Sequence, residues 1–127
     1  MIADRSKYFV GTIGETVFRE DLRLNTYAAK WDSEDDEYLK TPFIHNNDDI
    51  GGALYETLVC LARDAWRATG VRGYARIDMR LNAEETPCVL DVNPNCALNP
   101  AFGVCRAAQQ VGWSWEKFVK QQLKWAV

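Results

Sequence analysis

Two short segments, RIDMR at 76–80 and LDVNPN at 90–95, place reactive side chains at every second position. Arg76, Asp78 and Arg80 alternate with Ile77 and Met79. Asp91 and Asn93 alternate with Leu90 and Val92. Brought onto one surface, two carboxylates, an amide and two guanidinium groups form the inventory of a magnesium–phosphate site. Magnesium takes hard oxygen ligands, and a guanidinium forks onto phosphate oxygens.

The elements that must position these groups follow from the same alternation. In Tyr74 to Leu81 the apolar Ala75, Ile77, Met79 and Leu81 interleave with Tyr74, Arg76, Asp78 and Arg80. A period of two marks a half-buried strand with one polar face. In the next strand, Cys88 to Asn93, the pattern assigns Cys88, Leu90 and Val92 to the apolar face. Val89, Asp91 and Asn93 go to the other. The connection from Asn82 to Pro87 is short enough for a hairpin. Symmetric pairing sets Asp78 against Asp91, Arg76 against Asn93 and Arg80 against Val89; a bulge would shift this by one residue. Opposed residues have Cβ atoms about 5 Å apart. Two carboxylates at that spacing repel by about 3 kcal/mol at an effective dielectric near 20. Either Arg76 and Arg80 neutralise the pair, or a divalent cation sits between Asp78, Asp91 and the Asn93 side-chain oxygen while Arg76 holds a phosphate. The spacing alone leaves both readings open.

The segment GYARIDMRLNAEETPCVLDVNPN, 73–95, closely resembles the C-terminal signature of ATP-grasp enzymes, in particular D-alanine–D-alanine ligase-like proteins. The family pattern is G-Y-x-R-x-D, a hairpin, then a hydrophobic residue followed by E-x-N-x-x-P. TYAAKWD, 26–32, resembles the upstream segment whose lysine contacts phosphate. The resemblance extends over roughly residues 8 to 127. It implies that Asp78, Asp91 and Asn93 ligate Mg2+, that Arg76 is catalytic and stabilises the transferred phosphoryl group, and that Lys30 and Arg76 contact ATP. The implied reaction is ATP-dependent joining of a carboxylate to an amine through an acyl phosphate. Such chemistry works mainly by positioning and charge stabilisation. Two departures are visible. Asp91 stands where the family usually has Glu, and Cys96-Ala97 follow where related sequences often continue with Pro and Asp.

In that family the adenine hinge, the glycine-rich phosphate loop and an N-terminal substrate domain precede the segment seen here. Gly11 and Gly14 read as turn residues rather than a phosphate loop. The expectation is one domain over 1–127: an ATP-grasp C-terminal subdomain with a Mg-ATP half-site and without the N-terminal half. It would be a truncated product, or would need a separate chain to supply the other half. The sequence leaves stand-alone catalysis undecided. The alternative is a non-catalytic module on the inherited scaffold, self-associating or binding another protein.

Composition excludes several classes. The 127 residues carry a net charge of −3, so no basic excess points to nucleic acid or an acidic membrane surface. No apolar run approaches the ~20 residues of a membrane span. The opening MIADRSKY is not of signal-peptide type, and the cytoplasm is the default compartment. Cys60, Cys88, Cys96 and Cys105 lack C-x-x-C spacing, which argues against zinc. Cys60 and Cys88 are expected in the core. His45 reads as a solvated loop residue.

Elsewhere the pattern predicts a hairpin of 8–13 and 16–18 about Gly14-Glu15, and a turn of helix capped by Ser33 within an acidic solvated face, 32–37. A long helix is expected over 50–69, capped by Asp48 or Asp49 and stopped by Gly70. Its buried stripe is Leu54, Leu58, Leu61, Ala62, Ala65 and Thr69, widened by Val59 and Trp66. A further helix starts near Ala101 behind Asn99-Pro100 and ends at Gly112. Ser114 caps the last helix, with Trp113 and Phe118 as a staple. Its core face is Trp115, Phe118, Val119, Leu123 and Ala126. The fold class is α+β, an antiparallel sheet with helices packed on one face. Five tryptophans and a missing half imply exposed apolar area and hence a homodimer.

Overall fold

The computed structural model describes residues 2–4, 7–9, 11–21, 23–45 and 50–125. The chain is α+β, with strands β1 (Ile2–Asp4), β2 (Lys7–Phe9), β3 (Glu15–Thr16), β4 (Phe43–Ile44), β5 (Arg76–Leu81) and β6 (Pro87–Asn93). The helices are α1 (Tyr27–Trp31), α2 (Asp36–Leu39), α3 (Gly52–Ala68), α4 (Gly103–Gln110) and α5 (Trp115–Trp125). The described strands form three antiparallel two-stranded ladders, β1–β2, β3–β4 and β5–β6, rather than one continuous sheet. The molecule divides into two compact units, Ile13–Asn47 and the combination of Met1–Thr12 with Asp48–Val127.

In the larger unit α3 packs on the β5–β6 ribbon. Leu54, Leu58, Leu61, Ala62 and Ala65 form its half-buried to buried stripe, with Val59 and Trp66 beside them, as the 3.6-residue period requires. Thr69 lies outside the stripe. It is exposed, and its hydroxyl donates back to the Ala65 carbonyl at 2.9 Å. The cap at the start is Gly51, without a side-chain hydrogen bond; the expected caps Asp48 and Asp49 lie outside the described residues. Gly70 follows the end with φ +66°, as expected of a helix stop.

The core gathers Cys105 and Ala108 of α4 and Phe118 of α5, with Tyr74, Val104, Trp113, Trp115, Val119 and Trp125 packed around them. Ser114 caps α5 by accepting from the Lys117 N–H at 3.1 Å. Trp113 and Phe118 share the core as a staple should. Leu123 is exposed instead of buried. Trp125 takes its place, because the stripe through 115, 118, 122 and 125 passes one position to its side. Ala126 lies outside the described residues. Helix α4 begins at Gly103, two residues later than Ala101. The Asn99 side chain caps a preceding turn, accepting from Ala101 N–H at 2.9 Å, before the helix proper opens.

Among the described residues the expected 8–13/16–18 hairpin does not form: Tyr8 and Phe9 pair with Ala3 and Ile2 in the larger unit. In the smaller unit Glu15 and Thr16 pair with Ile44 and Phe43. Gly14 is not a turn residue but a close approach: a Cβ there would meet the Phe43 ring at 2.3 Å. Helix α1 is capped by Thr26, which accepts from Ala29 N–H at 3.1 Å while its hydroxyl donates to Glu37 of α2. Asp35, not Ser33, caps α2, accepting from Glu37 N–H at 2.8 Å. The acidic run is thus partly structural, its carboxylates fixing turns and caps. The hydroxyl of buried Thr41 donates to the Glu37 carbonyl at 2.8 Å. His45 is half-buried rather than solvated, edge-on to Phe43 with centroids 4.5 Å apart.

Candidate functional site

The β5–β6 ladder sets Arg76 opposite Asn93, Ile77 opposite Val92 and Asp78 opposite Asp91. Beyond Asp78 the register slips. Met79 pairs with Val89, Arg80 with Cys88 and Leu81 with Pro87. Leu90 is the unpaired extra residue of a β-bulge and stands 65% exposed. The symmetric register is therefore right for the carboxylates and wrong for Arg80, which faces Cys88 and not Val89. The slip also exchanges faces. Val89 joins Ile77, Met79 and Val92 on the half-buried side, while Cys88 moves to the polar side and is exposed. Cys60, one position outside the α3 stripe, is exposed as well. The buried thiols are Cys96 and Cys105.

The hairpin loop is built on Asn82. Its side-chain oxygen accepts from the N–H groups of Glu84 at 3.1 Å and Thr86 at 2.8 Å. Asn82 N–H closes the loop onto the Thr86 carbonyl at 3.0 Å.

On the polar face Arg76 forks onto Asp78, Nε to Oδ1 at 2.6 Å and the terminal Nη2 to Oδ2 at 2.9 Å. Asp78 raises the Arg76 pKa above the usual value through this bond, burial opposes the rise, and the charges of Asp78 and Asp91 add to it. Arg76 thus brings positive charge to the carboxylate pair from a position on the same strand as Asp78. Asn93 Oδ1 accepts from Asn95 N–H at 2.9 Å, which turns the chain after β6. One lone pair of that oxygen remains for another partner. No three His, Cys, Asp or Glu side chains converge among the described residues.

Tyr74 and Cys96 support this face and were not legible as site residues. The Tyr74 hydroxyl donates to the Cys96 carbonyl at 3.2 Å, tying the approach to β5 to the segment after β6. Burial pushes the Cys96 thiol up in pKa, against the pull of the Arg76 guanidinium. No local pattern announces a buried cysteine in a segment of turns.

Lys30 lies in the smaller unit, in the last turn of α1, and is exposed. It lines an open hollow of about 450 Å³ with Asn25, Tyr38, Thr41 and Phe43 among the other walls.

A model of the family described as D-ala D-ala ligase C-terminus matches residues 2–124. A D-alanine–D-alanine ligase of Cupriavidus taiwanensis is 33% identical over 97 residues, 76% of this chain and 28% of that protein. One from Dichelobacter nodosus is 30% identical over 110 residues, 86% of this chain and 33% of that protein. One from a Synechococcus strain is 37% identical over 60 residues, 47% of this chain and 19% of that protein. The chain thus spans no more than about a third of the length of these relatives. No solved structure matches. With the match running from β1 through α5 and the paired carboxylates inside it, the chain belongs to the D-ala D-ala ligase C-terminal family.

Proposed function

We propose that this chain carries one wall of a Mg-ATP site, inherited from an enzyme that joins a carboxylate to an amine through an acyl phosphate. The observation that carries the reading is the shared polar face of β5 and β6, with Asp78 against Asp91 and Arg76 against Asn93. The donor set fits the ion: two carboxylates and an amide oxygen are hard ligands of the kind magnesium selects. When bound, the cation supplies charge neutralisation at phosphate oxygens. Asp78, Asp91 and Asn93 would hold it. Arg76 would place fixed positive charge on the transferred phosphoryl group. For Lys30, on the smaller unit, a phosphate contact rests on the family resemblance alone. Asp91 reaches less far than the glutamate usual in the family, which favours a looser metal. The face is open, with Arg76 and Asp91 exposed, so nucleotide binding by these 127 residues alone is expected to be weak. The setting proposed is the cytoplasm; no helix among the described residues is long and apolar enough to cross a membrane.

Thermal melts test this. A ligand at ten times its Kd adds about 1.4 kcal/mol, a few degrees in Tm. Magnesium with a non-hydrolysable ATP analogue should raise the wild-type Tm by that scale. The double variant Asp78→Asn/Asp91→Asn should show no rise. An unmoved wild-type Tm at millimolar ligand would count against the site.

A second reading, an interaction module that self-associates or binds a partner chain, is favoured by exposed apolar side chains on the smaller unit, Leu24, Tyr27, Trp31 and Leu39 among them. Sedimentation equilibrium decides it: a dimer at tens of micromolar supports this reading, and a monomer removes the homodimer.

A further inference from the structure

Both oxygens of Asp78 accept from the guanidinium of Arg76, at 2.6 and 2.9 Å. Asp78 is also the carboxylate directly opposite Asp91. The group best placed to share a cation with Asp91 therefore already has a positive partner of its own. Each oxygen keeps a second lone pair, but a divalent cation there would sit close to the guanidinium, and the two positive charges repel each other over one carboxylate. The two side chains are 53% and 37% exposed, so neither is locked by packing, and the fork can open without breaking the core.

The geometry points to Arg76 as an internal counter-ion of the carboxylate pair, one that holds Asp78 in the metal-free chain and is displaced when a divalent cation binds between Asp78 and Asp91. This rests on the reading of that pair as the metal site. It assigns Arg76 two successive partners: Asp78 first, and an anion once the cation has taken the carboxylate. Phosphate suits the second role, since it offers the same bidentate pair of oxygens. The fork keeps two opposed carboxylates from repelling across the ladder while no cation is present, and it sets a threshold that a cation must overcome.

The full chain without nucleotide tests the competition, with Mn2+ as the probe and free Mn2+ counted by electron paramagnetic resonance. Arg76→Gln removes the competitor and should tighten Mn2+ binding about fivefold, the scale of a half-exposed ion pair. Arg76→Lys, which keeps a charge but not the fork, should fall between. In the wild type, the Arg76 Nε–Hε resonance should shift on adding Mg2+ and saturate with the binding curve. Equal or weaker Mn2+ binding by Arg76→Gln would overturn the inference and leave the metal site standing. Absence of Mn2+ binding in wild type and both variants, all still melting cooperatively, would remove the site and the inference together. Should Arg76→Gln fail to fold, the wild-type resonance decides: no shift at Mg2+ concentrations that saturate binding would sink it.

Discussion

A half-exposed ion pair decides little about stability and much about charge placement. The Arg76–Asp78 fork should therefore be nearly silent in folding: Arg76→Gln is expected to change unfolding free energy by at most about 1 kcal/mol in urea titrations. Gly73 is the opposite case. Its φ is +83°, and a Cβ there would lie 2.9 Å from the Gln122 side-chain oxygen. Gly73→Ala should cost about 1–2 kcal/mol from the left-handed backbone alone, readable in the same titration. The carboxylate pair was legible from sequence because strand alternation has only two outcomes for each residue. The fork was not, since Asn93, Asp91 and Asp78 all neighbour Arg76 on one face and alternation does not choose among them. Nor was the burial of Cys96, whose carbonyl accepts from Tyr74, 22 residues away in sequence.

Among the elements, the β5–β6 ribbon follows simple alternation at its open end and departs from it toward its tip. The cause is a single residue. Leu90 is accommodated as a bulge, and every side chain from it to the loop changes face. Alternation cannot say which residue is extra when Val89 and Leu90 stand side by side and are both apolar. Helix ends fared by their chemistry. Ser114 was legible because a serine one turn ahead of an apolar stripe has few other uses, while Asp35 was hidden among acidic neighbours that could each cap α2. Two variants probe these supports. Ser114→Ala should lower stability by about 1 kcal/mol through loss of the α5 cap. Asn82→Ala should cost a similar amount, about 1 kcal/mol, by releasing two loop amides, and both effects are measurable by thermal melts.

For the whole molecule, the division into two units predicts unequal cooperativity. The β3–β4 ladder of the smaller unit joins only two residue pairs, whereas the larger unit rests on Phe118, Cys105 and Ala108. Hydrogen exchange should show α1 and α2 opening at lower free energy than α3, α5 and the β5–β6 ribbon. Equal protection across both units would contradict this. Alkali should also weaken the fold. Burial raises the pKa of Cys96, Cys105 and Tyr74 above their ordinary values, so the unfolded chain loses these protons first. Stability is then intact below the normal thiol range and falls as pH rises through it. Urea unfolding from pH 7 to 10 should show the decline, and Cys105→Ser should flatten it. The bulge at Leu90 leaves one practical legacy. It turns Cys88 outward on the same side as Asp78 and Asp91, about 7 Å along the strand from them. With Cys60→Ser removing the other accessible thiol, a nitroxide or fluorophore attached there would report ion occupancy at close range, from a native handle.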